Sequence, residues 1–180
     1  MFNRLACLFM VLLACGLPYG GAFAEDEAPA IDPPGHWRVM GQDDAHSTSR
    51  CIGKPDAPLC AVETMLACFL RNDNDLCKIG QGQFEPYIHI DGPPQMAWTQ
   101  RYRVAGVKRI IRDHQRHSYL GRHPPPVLKG DLMITIQDND CYYGKCQKVL
   151  GYPLDHRVFL VRKEGGKWHA VTWDGVVDRW

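Results

Sequence analysis

Four cysteines fall within the stretch SRCIGKPDAPLCAVETMLACFLRNDNDLC, residues Ser49 to Cys77, and two of them lie inside an amphipathic helix. Leu59, Val62, Met65, Leu66, Phe69 and Leu70 share one face at about 100° per residue. Asp56 and Pro58 suit the first turn, and the polar run Arg71 to Asp75 suits the end. A short second helical turn carrying Leu76 and Cys77 follows, stopped by Gly80. Cys60 and Cys68 are eight residues apart, about 12 Å along the helix axis. Bridged Cα atoms lie within about 7 Å, so these two cannot pair. With Leu59 at zero on a helical wheel, the apolar face centres near about −50°, with Cys60 at about 100° and Cys68 at about 180°. Both thiols point away from the core face, beside small Ala61, Thr64 and Ala67. The simplest partners are Cys51 before the helix and Cys77 after it, each bridge stabilising by about 2–3 kcal/mol on the chain-entropy model.

Two further cysteines lie downstream, Cys141 and Cys146, flanking a turn containing Gly144 in CYYGKC. They pair with each other or, alternatively, reach the helix. Zinc is the competing reading, but structural zinc sites present C-x2-4-C knuckles, and the intervals here are mostly far longer. A free or catalytic thiol is a further alternative. No metal and no cofactor is expected.

Export makes disulfides reasonable. Arg4 precedes the apolar run Leu5 to Leu17, which is shorter than the ~20 residues of a membrane span and has the length of a signal-peptide core. Pro18, Gly20 and Gly21 break it, and Ala22, Phe23 and Ala24 give a small-residue cleavage site, so residues 1–24 read as a signal peptide. Leu12, Leu13, Ala14 and Cys15 resemble the lipobox of bacterial lipoproteins, which would instead lipidate Cys15 and anchor the chain to a membrane. Cleavage after Ala24 leaves a chain with 20 Lys+Arg and 20 Asp+Glu, Arg4 being the one charge removed. A balanced charge gives no global steering toward nucleic acid or membrane.

Residues 25–50 are acidic and Pro-containing without apolar periodicity, which reads as a flexible lead-in; residues 51–180 then form a single domain. Beyond the helix the period changes. Phe84–Ile90, Arg101–Ile111, Asp131–Gln137, His156–Lys163 and Lys167–Trp173 are rich in β-branched and aromatic residues. The last two flank a compact turn at Glu164–Gly166. The fold class expected is α+β, with one long and one short helix packed on an antiparallel β-meander and stapled by disulfides.

The helix LCAVETMLACFLRNDNDLC, followed by GDLMITIQ and VFLVRKEGGKWHAVTW, resembles the cone-shaped α+β layout of the nuclear-transport-factor-two-like superfold, and also small exported bacterial proteins of unassigned function. That resemblance implies a helix and curved sheet around a pocket, which in the superfold's enzymes holds an Asp/His-type acid–base pair. No such pair matches a motif here, so no catalytic residue is assigned.

Charge is concentrated in one place. Between Arg101 and Lys129 stand eight basic residues against the single acid Asp113. Arg101, Arg103, Lys108, Arg109 and Arg112 make a candidate anion patch; a solvated strand edge explains the same residues. Nucleic acid is excluded by the lack of a helix-turn-helix or aromatic RNA-binding signature. His114, His117 and His123 are candidate metal ligands opposed by neighbouring arginines. Asp138–Asp140 reads as an Asx-rich turn, lacking the Gly and Glu of a calcium loop. Trp168 and Trp173, an odd spacing apart, are expected on opposite strand faces. The function expected is therefore an exported, disulfide-stapled domain that binds a partner protein or anionic ligand without catalysis. A cone-fold hydrolase or isomerase and an envelope-anchored structural lipoprotein are the alternatives.

Overall fold

Helix α1 (Pro58–Arg71) starts without a side-chain cap, since its N-cap residue is Ala57, and Pro58 occupies its first turn. It is held by packing instead: Leu59, Val62, Met65, Leu66 and Leu70 are all buried, each worth about 1.5–3 kcal/mol when removed from water. Asn72 ends it in the left-handed conformation, φ 48°, which asparagine tolerates better than most residues. The next residue, Asp73, caps α2 (Asn74–Gln81) by accepting from the backbone N–H groups of Asp75 and Leu76. Gly80 does not stop this helix, which runs on to Gln81 with Gly82 as its cap. Gly80 is needed for contact, because a Cβ there would stand 2.6 Å from the Met65 sulfur of α1.

The computed structural model describes residues 36–83, 98–115, 125–142, 145–146 and 155–173. Among the described residues there are six strands: β1 (Arg38–Met40), β2 (Trp98–Arg109), β3 (Leu132–Tyr142), β4 (Lys145–Cys146), β5 (Asp155–Glu164) and β6 (Lys167–Trp173). They form one antiparallel sheet in the order β1-β2-β3-β5-β6, with β4 paired to β3. Gly165 and Gly166, at φ 56° and 84°, make the β5–β6 turn that the sequence announces; two positive φ values match the twist of a tight hairpin. The expected strand Phe84–Ile90 lies outside the described residues.

One face of the sheet carries the main core. Tyr102 and Val104 of β2, Ile134 and Ile136 of β3, and Phe159 and Val161 of β5 pack with Val62, Met65 and Leu66 of α1. The class α+β with disulfides is therefore present. The lead-in expectation needs correction: residues 36–50 are part of the fold. β1 adds to the edge of β2, with Val39 opposite Arg101, and Met40 is fully buried. Three strand residues are too few for a periodicity test; long-range pairing stabilises them. Residues 25–35 lie outside the described residues.

The segment after β1 wraps the helix. Arg71 donates to the Gly41 carbonyl and to Ser47 Oγ, each at 3.1 Å, and the Gly53 N–H donates to Thr64 Oγ1 at 3.0 Å. The same segment closes both sheet edges. The Thr48 N–H donates to the Val39 carbonyl at 2.9 Å, and the Trp168 N–H donates to the Pro55 carbonyl at 2.8 Å. Covering an edge in this way removes a template for strand addition.

On the sheet's other face, Ile110, Val127, Leu160 and Val171 form a second, smaller core with Met133 against it. Two bulges shift side chains between these faces. In β2 the register skips at Ala105, and in β6 it skips at Val171. The second bulge lies between Trp168 and Trp173, so simple alternation does not hold along β6. The Asx-rich turn expected at Asp138–Asp140 is instead part of β3, where Asp138 is opposite Tyr102 and Asn139 opposite Arg101.

Candidate functional site

Both helix cysteines are bridged as the helix geometry requires. Cys51 pairs with Cys60 across a Cα separation of 5.4 Å, and Cys68 with Cys77 across 5.0 Å. The surroundings of the two bridges differ. Cys68 and Cys77 are fully buried between α1 and α2, whereas Cys51 and Cys60 are half-buried. The helix face that carries Cys60 and Cys68 is not open to solvent, because the wrapping segment and α2 cover it. For Cys141 and Cys146 the backbone register sets the two residues opposite each other in the β3–β4 ladder. Cys15, His117 and His123 lie outside the described residues.

Beside the Cys51–Cys60 bridge stands the ionisable group that sequence reasoning missed, Glu63, only 1% exposed. Its Oε1 accepts from the Tyr102 hydroxyl and from Arg38 Nη1, the latter at 3.2 Å. Its Oε2 accepts from Ser49 Oγ and lies 3.3 Å from Cys51 Sγ. Four parts of the chain meet there: β1, the wrapping segment, α1 and β2. Two hydroxyls and a guanidinium compensate the desolvation that would otherwise forbid a buried carboxylate.

Tyr102 responds to that setting. Burial pushes its hydroxyl well above the usual tyrosine range, and the Glu63 charge pushes it further the same way. The folded state thus retains a proton that the unfolded chain releases near pH 10. Stability from this group is complete below that pH and declines above it, by up to about 1.4 kcal/mol per pH unit. Urea unfolding at stepped pH checks this: Tyr102→Phe is expected to show a shallower alkaline loss than the wild type, and parallel curves would contradict it.

A second polar group on the same sheet face lies toward the start of β2. Asp138, also 1% exposed, accepts from Gln100 Nε2 at 2.9 Å and pairs with Arg157 Nη2 at 2.5 Å. These inward polar residues are engaged with one another.

The outward face of β2 is different. Arg101 and Arg103 alternate with buried Tyr102 and Val104 and so point away from the helices. Their guanidinium carbons lie over the ring of Trp37, at 5.6 and 4.9 Å from its centroid. Arg103 Nε also donates to Gln137 Oε1 of β3 at 2.8 Å. The five-residue anion patch is not continuous. The bulge at Ala105 turns Lys108 to the outward side, opposite Met133, and Arg109 to the core side, opposite core residue Leu132. Arg112 is exposed beyond the end of β2. What remains together is Trp37, Arg101 and Arg103.

No protein-family model, curated protein or solved structure matches the chain. Among the described residues, no helix is long and apolar enough to cross a membrane.

Proposed function

We propose that the chain is an exported, disulfide-stapled binding domain without catalysis, and that its working surface is the outward face of β2, which takes an anionic ligand or the acidic patch of a partner protein. The single observation carrying this reading is the pair of guanidiniums over one indole. Stacking on an aromatic ring holds an arginine at little entropic cost, and with Arg103 Nε engaged by Gln137 it is the terminal N–H groups that face carboxylate, sulfate or phosphate oxygens. Two bridges among the described residues support an oxidising compartment, which agrees with the signal-peptide reading of residues 1–24. Lipidation at Cys15 would place the same surface at a membrane.

The enzyme reading, a cone-shaped hydrolase or isomerase, needs an acid–base pair facing a substrate. The inward carboxylate of Glu63 is instead held by Ser49, Tyr102 and Arg38, and Asp138 Oδ2 by Gln100 and Arg157, which favours binding over catalysis.

Titration with a sulfated polysaccharide tests the proposal, with neutral dextran as the blank. Exposed charge contacts are worth about 0.2–1 kcal/mol each, so Arg101→Ala/Arg103→Ala is expected to weaken binding about 2- to 30-fold and to flatten its salt dependence. Lys78→Ala on α2 is expected to leave it unchanged. Equal affinity of the double variant and the wild type would refute the assignment.

A further inference from the structure

The two bridges are unequally open to attack. Thiol–disulfide exchange needs direct access of the attacking group to a sulfur, and only Cys51–Cys60 is half-exposed while Cys68–Cys77 is buried. Reduction of the folded chain therefore begins at Cys51–Cys60, and the resulting thiols emerge beside a carboxylate that is already positioned. We propose that reduced Cys51 and Cys60, together with Glu63, form a site for a thiophilic divalent cation of the zinc class, so that the bridge gates metal binding by its redox state.

The geometry carries this. Cys51 Sγ, Cys60 Sγ and a Glu63 carboxylate oxygen all lie within 4.8 Å of one another. A tetrahedral zinc ion with bonds of about 2.3 Å to sulfur and about 2.1 Å to oxygen holds its thiolates about 3.8 Å apart. Parting the two sulfurs to that distance fits the Cα separation of 5.4 Å. The C-x8-C interval that argues against a zinc knuckle is immaterial, because the fold already brings the sulfurs together.

The carboxylate is also supported from behind. Tyr102 and Arg38 hold Oε1, while Oε2 faces the sulfur at 3.3 Å. Metal-ligating carboxylates are characteristically oriented by hydrogen bonds of this kind. Charge balances as well: two thiolates and one carboxylate face a dication and the Arg38 guanidinium. A fourth ligand would be water, since the cluster supplies three protein ligands.

Chemically, the bridge takes two electrons and two protons from a dithiol, which departs as its own disulfide. The metal then displaces the two thiol protons to solvent.

The test uses a chain carrying Cys7→Ser, Cys15→Ser, Cys141→Ser and Cys146→Ser, so that the bridges supply every thiol. The folded protein is treated with a phosphine reductant, thiol alkylation maps which cysteines opened, and the freed site is titrated anaerobically with Co²⁺ followed by Zn²⁺. The expected result is alkylation confined to Cys51 and Cys60, then one cobalt per chain with a thiolate-to-cobalt charge-transfer band that zinc abolishes. Glu63→Gln, which keeps an acceptor for Tyr102 and Arg38, is expected to weaken cobalt about 10-fold or more, and Cys51→Ser to abolish the band. The unreduced protein is expected to bind none. The proposal is overturned by absence of the band in reduced protein of native circular dichroism, by loss of that native spectrum on opening Cys51–Cys60 alone, or by unchanged affinity in either variant.

Discussion

Glu63→Ala is expected to lower the unfolding free energy by about 3–5 kcal/mol, the range for breaking a buried ionic contact, read as a shift of the urea midpoint at constant slope. The substitution deletes the acceptor of the Ser49 and Tyr102 hydroxyls, both buried; each orphaned donor costs about 1–3 kcal/mol. It also removes the anion opposite Arg38, which is 3.2 Å away. Part of the loss is topological. Through these partners Glu63 ties β1 and the wrapping segment to the α1–β2 interface, so the edge strand and its cover loosen together. Glu63→Gln separates the two contributions, since the amide retains an acceptor and the volume but not the charge. It is expected to cost about 1 kcal/mol. An alanine variant as stable as the glutamine variant would show that the hydrogen bonds do not hold this corner.

The sequence carried a signal for Glu63 that residue type obscured. On the wheel that orders the apolar face, Glu63 falls at about 40°, close to Leu70 at about 20°. A glutamate inside the apolar stripe is a group that must find partners in the core, and that angle was the available clue. Nothing local indicated which partners, because Arg38 and Tyr102 stand 25 and 39 residues away. The helices, the hairpin turn and the impossibility of a Cys60–Cys68 bridge were legible because each depends on local spacing. The anion patch was legible only in part. Period-two alternation assumes an unbroken strand, and one extra residue at Ala105 exchanges the faces of Lys108 and Arg109. The bulge at Val171 breaks the same assumption in β6. In β3, Asp138 and Asn139 look like turn residues by propensity, yet Asp138 lies inside the strand because Gln100 and Arg157 satisfy its charge. Tertiary contacts override a turn preference worth only a few tenths of a kcal/mol to about 1 kcal/mol.

At the far end of the sheet, Asp131→Ala is expected to cost about 3–5 kcal/mol while leaving anion binding by Arg101 and Arg103 intact. Asp131, 2% exposed, grips Arg162 with two parallel bonds of 2.8 Å and accepts from the Leu128 N–H at 2.8 Å. Arg162 Nη2 also donates to the Pro126 carbonyl at 2.6 Å. The Asp131 carboxylate raises the arginine pKa further above its ordinary value, so the guanidinium stays charged, and the variant leaves a buried cation without its carboxylate. The fork fastens residues 125–131 over the outer core of Ile110, Val127, Leu160 and Val171. Loss of that fastening should expose the core, and limited proteolysis would register it as new cleavage near Val127. An apolar double replacement, Asp131→Leu/Arg162→Met, tests the cause: if the stranded charge dominates, the double variant recovers most of the stability. If it remains as unstable as Asp131→Ala, the lost bonds to Leu128 and Pro126 dominate instead. Arg101 pairs with Asn139 of β3, eight residues along the strand from Asp131, or about 26 Å. Over that distance the intervening ladder isolates the two ends, and a loss of anion affinity in Asp131→Ala would mean that the sheet's outward face behaves as one unit.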